Sequence, residues 1–124
     1  MIDPALHTLF VGSVAVGVTK FVPVPVRFGH IGVDIGWLDA TSNATITLEL
    51  TSTQADVFAA GNAWEWKASG VAVTGPVAAA AGGSFVNIEN VRQQRARLRI
   101  LGVAATSNFD IRDGTSGTES GGLP

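Results

Sequence analysis

Cysteine and tyrosine are both missing from this 124-residue chain, and methionine occurs once. Without cysteine there is neither a disulfide framework nor a thiolate metal site, so stability has to come from burial and from association. Without tyrosine, a frequent component of sugar-binding and antibody-like surfaces is gone. Charge is scarce as well. Only 15% of residues are charged and the formal net charge is −2, whereas nucleic-acid binding normally shows a strong positive balance. No apolar run approaches the roughly 20 residues of a membrane span. The first residues, Met1, Ile2, Asp3 and Pro4, carry an acid where a secretory signal would carry basic residues. The expectation is a protein that contacts neither nucleic acid nor membrane.

Reaction chemistry is thin too. His7 and His30 stand in unrelated contexts with no ligand spacing between them, which argues against a histidine metal site. The acids Asp34, Asp39, Glu49, Asp56, Glu65, Glu89, Asp110 and Asp113 occur singly, with no pair set apart for acid/base work. No nucleophile elbow and no phosphate-cradling glycine loop is present. No catalytic residue, cofactor or metal is expected, and the chain reads as a protein that is not an enzyme.

What is present is β-forming. Hydrophobic residues make up 46% of the chain, with 15 glycines to turn it. Residues 1–12 lack a clear period and read as an arm. Val14, Val16 and Val18 then alternate on one face. Pro23 and Pro25, two apart, put both missing amides on the same side, which predicts an edge strand over 22–26. Ile31, Val33, Ile35 and Trp37 share one face of the next strand, opposite Gly32, Asp34, Gly36 and Leu38. Residues 44–51 alternate most cleanly, with Ile46, Leu48 and Leu50 inward and Thr45, Thr47, Glu49 and Thr51 outward. Residues 52–61 allow one helix of about two turns, with Thr53 as cap and Gly61 as stop, or else a loop. Trp64 and Trp66 fall on one face of a short strand. They serve a core or subunit interface, or alternatively a sugar-stacking platform. Residues 77–83 form an alanine-rich connector. Further strands are expected at 85–91 and 109–113, with a polar turn at 104–108.

Residues 90–103 hold four of the eight basic residues. Read with period two, Arg95, Arg97 and Arg99 form a ladder on one face while Ala96, Leu98 and Ile100 form the core face. Guanidinium groups about 6.5–7 Å apart repel one another unless carboxylates or a partner lie opposite. The ladder is therefore the candidate partner contact, with an ordinary solvated face as the competing reading.

Short strands, frequent turns and at most one short helix place the chain among all-β folds, as a jelly-roll-like antiparallel β-sandwich. One domain is expected over 1–113, with the arm at 1–12, followed by a flexible tail at 114–124. At Phe85, Val86, Asn87, Ile88, Glu89, Asn90 and Val91, then Arg95 to Ile100 and Ser107 to Ile111, the chain resembles small β-sandwich virion proteins of tailed bacteriophages, in particular capsid decoration (cement) proteins. The resemblance implies a homotrimer on the capsid exterior that contacts the major capsid protein and locks the shell. A carbohydrate-binding module and a head-to-tail or tail virion component are the alternatives.

Overall fold

A computed structural model describes residues 8–38, 43–62, 64–76 and 81–114. Its elements are strands only: β1 (Thr8–Val14), β2 (Thr19–Val24), β3 (Ile31–Trp37), β4 (Asn43–Thr51), β5 (Lys67–Ala68), β6 (Gly82–Ile88), β7 (Arg95–Ala105) and β8 (Ser107–Asp113). They form two four-stranded antiparallel sheets, ordered β1-β8-β3-β6 and β2-β7-β4-β5. The pairs β1 with β8, β2 with β7, β3 with β6 and β4 with β5 are nested, as if one long hairpin had been rolled up. This eight-strand order is that of a jelly roll.

The two inner faces supply the core. Val14, Ile31, Val33, Ile35, Trp37, Val86, Phe109 and Ile111 come from the first sheet. Val22, Val24, Ala44, Ile46, Leu48, Ala96, Leu98 and Ile100 come from the second. The facing expected for β3 and β4 holds because each has one face against the opposite sheet, which forces period two, but Glu49 and Thr51, on the outer face of β4, are buried rather than exposed.

The expected proline edge over 22–26 is met in part: the strand is β2, Thr19–Val24, so Pro23 lies on it while Pro25 follows its end. Gly102 N donates to Val18 O at 3.1 Å, which fixes the hydrogen-bonding parity between β7 and β2. Through the β2–β7 register, Lys20, Val22 and Val24 face β7 while Thr19, Phe21 and Pro23 turn their backbone outward. The amide that Pro23 lacks is thus one that has no strand to bond.

Other expectations are corrected. From Thr8 onward the expected arm is strand β1, paired with β8, while residues 1–7 lie outside the described residues. Val16 and Val18 do not share the buried face of Val14. The chain turns at Gly17, at φ 79, and both valines are about half exposed. That turn packs against Gly102, where an added Cβ would collide with the backbone of Ala15. No helix forms over 52–61; the segment is a series of turns. Thr53 Oγ1 accepts from Ala55 N at 3.1 Å and Asp56 Oδ1 from Phe58 N at 2.9 Å, so side chains satisfy amides there that a helix would satisfy with carbonyls. Trp64 and Trp66 lie in a turn before β5 rather than in a strand. The polar turn at 104–108 is shorter than expected, with only Thr106 between β7 and β8. Of the connector at 77–83, residues 77–80 lie outside the described residues and Gly82 begins β6. Of the tail, residues 115–124 lie outside them.

Candidate functional site

The three arginines of β7 do leave the same face of the sheet, but they meet three different environments. Arg97 is wholly buried, Arg95 partly so, and Arg99 is exposed. Arg97 lies opposite Glu49 in the β4–β7 register, and its Nε donates to Glu49 Oε1 at 2.8 Å. Residues 52–62 and 64–66, here the 52–66 segment, fold over the pair. Arg97 Nη1 donates to Val57 O at 2.9 Å and Ala59 O at 2.6 Å, and Nη2 donates to Ala60 O at 3.2 Å. Its guanidinium carbon stands 4.0 Å from the ring centroid of Phe21 and 4.1 Å from that of Trp66, so two aromatic rings flank the cation.

Arg95 extends the same construction. Its Nη1 donates to Thr53 O at 3.2 Å and Ala55 O at 2.6 Å. Five carbonyls of the 52–66 segment therefore point at two guanidinium groups, which is a reason for the segment not to be helical: in a helix, carbonyls of that stretch would bond amides four residues on. Trp66 Nε1 donates to Asp56 O at 3.3 Å and closes the bracket from below.

The ladder is thus corrected as a partner-contact surface. Arg97 has no area left for a partner, and Arg95 is committed to loop carbonyls. Arg99 alone keeps a half-exposed side chain, with Nη1 at 3.7 Å from Glu49 Oε2. The two indoles separate in the same way. Trp66 is 4% exposed and belongs to the bracket, whereas Trp64 is 64% exposed. Trp64 lines a cleft of about 400 Å³ with Ser52, Thr53, Glu65, Lys67 and Gln93 among its walls.

Sequence reasoning passed over Phe28. Arg27 and His30 exchange both backbone hydrogen bonds at 2.9 Å around a two-residue turn of Phe28 and Gly29. Phe28 has φ 53 and Gly29 has φ 74. Such a turn favours Asn-Gly, and a bulky residue in the left-handed region is strained. The Phe28 ring is fully exposed and gains nothing from the rest of the chain. The turn is nevertheless held firmly: Val91 N donates to Gly29 O at 2.8 Å, and Arg27 Nη2 bonds Asp113 Oδ2 at 3.0 Å. A signal existed in the sequence, an aromatic residue directly before the glycine of a tight turn, but it carries meaning only once the ring is seen to be unpacked.

Among the described residues no three His, Asp or Glu side chains converge as a metal cluster would require. No protein-family model matches the chain, and no curated protein sequence matches it.

Proposed function

We propose that this chain is a non-enzymatic structural protein that docks on a larger assembly, and that the assembly is a bacteriophage capsid, on whose exterior it serves as a decoration (cement) protein bound to the major capsid protein. The observation that carries the docking reading is Phe28. A left-handed phenylalanine costs on the order of 1 kcal/mol in backbone strain, and its exposed ring returns none of it within the chain. An aromatic residue kept at such a position on a pinned turn suits an anchor that fills a pocket on a partner. The capsid assignment is supported by the resemblance of residues 85–91, 95–100 and 107–111 to decoration proteins. The jelly-roll order is compatible with it but is shared by lectins and cupins, so the fold by itself does not select the function.

Phe28→Asn separates docking from folding. Asparagine suits the turn, so the melting temperature should hold or rise, while occupancy on purified particles of the source phage should drop at least about tenfold, a loss typical of a hot-spot aromatic. Unchanged occupancy would remove the anchor. Failure of the wild-type chain to bind any such particle would remove the capsid assignment.

A second reading has its own observation, the exposed Trp64 beside the cleft lined by Ser52, Thr53, Glu65, Lys67 and Gln93. An indole at the rim of a polar cleft suits a saccharide ring. The platform that would need both Trp64 and Trp66 is not available, because Trp66 is buried against Arg97. Glycan-array binding abolished by Trp64→Ala would favour this reading over the capsid one.

A further inference from the structure

A jelly roll has four sheet edges, and three of them here carry a device against pairing. The β2 edge has Pro23 at an outward position. The β5 edge is two residues long, and the segment after it bonds back to β4 through Ser69 N to Leu48 O at 2.8 Å and Ala44 N to Pro76 O at 3.3 Å. The β1 edge opens with a register shift between Thr8 and Phe10. Such prolines, short strands and bulges are how sheets avoid joining one another.

The β6 edge has none of these. Leu38 N donates to Asn108 O at 2.9 Å, so even-numbered residues of β3 bond toward β8 and odd-numbered ones toward β6. Through the β3–β6 register, Ser84, Val86 and Ile88 bond to β3, and Gly83, Phe85 and Asn87 turn their backbone groups outward. Among the described residues no backbone hydrogen bond reaches those outward groups. The strand is seven residues long with no charge and no proline. Phe85, at its centre, is 74% exposed.

We propose that β6 pairs with β6 of a second copy of this chain, antiparallel about a twofold axis at Phe85, joining two sheets into one of eight strands. The edge is self-complementary. The outward residues 83, 85 and 87 are symmetric about 85, so Phe85 meets its own equivalent and Gly83 meets Asn87, each pair exchanging two backbone hydrogen bonds. An uncharged strand meets its copy with no like-charge repulsion. The two Phe85 rings come to lie side by side on the outer face, at the roughly 5 Å spacing of directly opposed residues, and shield one another from water. The partner is a second copy because an uncharged edge with an exposed aromatic ring at its centre is matched by its own copy, which brings no charge and sets the same ring beside Phe85 on the axis. The pairing does not depend on the capsid reading.

The test is mass against concentration by sedimentation equilibrium, from about 1 µM to about 1 mM, where a weak association becomes visible. The wild-type chain should move toward twice its 12.8 kDa mass. Asn87→Pro should remain monomeric, because proline removes an outward amide that the pairing needs. Asn87→Ala should dimerise like the wild type, since it also loses the Asn87–His30 side-chain contact but keeps the amide. Phe85→Lys places like charges face to face at the axis and should weaken the dimer at least about tenfold. It decides the matter if the proline variant does not fold, because Phe85 is exposed and its replacement leaves the core intact. A wild-type chain that is monomeric throughout overturns the pairing. So does a trimer, the assembly that the bacteriophage resemblance implies. So does a Phe85→Lys variant that associates as well as the wild type.

Discussion

The outer faces of the two sheets handle polar groups in opposite ways. On the β2-β7-β4-β5 sheet, Arg97 and Glu49 stand opposite one another beneath the 52–66 segment, and Glu49 is 7% exposed. On the β1-β8-β3-β6 sheet, Asp110 and Arg112 form their bidentate pair, with both bonds at 3.0 Å, on a face where Gly36, Gly83, Leu38 and Phe85 border an open trough. The chemistry is the same, a guanidinium on a carboxylate, but the consequences differ. A buried ion pair loses the hydration of both charges and is tolerable only when its remaining donors are used, as loop carbonyls use those of Arg97. The half-buried Asp110–Arg112 pair keeps much of its water and contributes less.

The largest expected effect tests the buried pair. Arg97→Ala leaves the Glu49 carboxylate under the loop without its main partner and strips three loop carbonyls of a donor. A loss of about 3–5 kcal/mol is expected. Thermal melting reads this as a fall of more than about 10 °C, and limited proteolysis should cut within 52–66. A loss equal to that of Arg112→Ala would erase the contrast between the two faces.

Next comes the aromatic support. Trp66→Ala should cost about 3–5 kcal/mol less whatever the loop recovers by collapsing, against under about 0.5 kcal/mol for the exposed Trp64→Ala. Chemical denaturation of both variants makes the comparison directly, and similar costs would mean that the bracket does not depend on the indole beneath it. The third effect is of opposite sign. Phe28→Asn should stabilise the isolated chain by about 0.5–1 kcal/mol by relieving the left-handed strain, and a lower midpoint in urea would show that the ring is packed after all. Smallest of all are Arg99→Ala and Arg112→Ala, each expected to change stability by under about 1 kcal/mol, with any change shrinking in high salt.

Legibility in the sequence followed the range of the interactions. Strands β3 and β4 could be read because alternation along seven to nine residues is imposed by one buried face, a local constraint. The proline edge was readable because a missing amide is a property of the residue itself. The 52–66 segment was not. Its capping residues Thr53 and Asp56 fit a helix start as well as they fit turns, and its fate was set by Arg95 and Arg97, some 37 to 42 positions further along the chain. Trp64 and Trp66 were grouped by spacing and then split, because only one of them faces the guanidinium.

The amino-acid sequence by itself determined an all-β chain, the inward residues of β3 and β4 and the edge that carries Pro23, since backbone chemistry and period-two burial act within a few residues. Tertiary structure alone decided that Arg97 is core while Arg99 is surface, and that the ring of Phe28 is left in water. Those outcomes depend on which distant segment comes to lie over a given face, and nothing in the period of a strand records what will cover it.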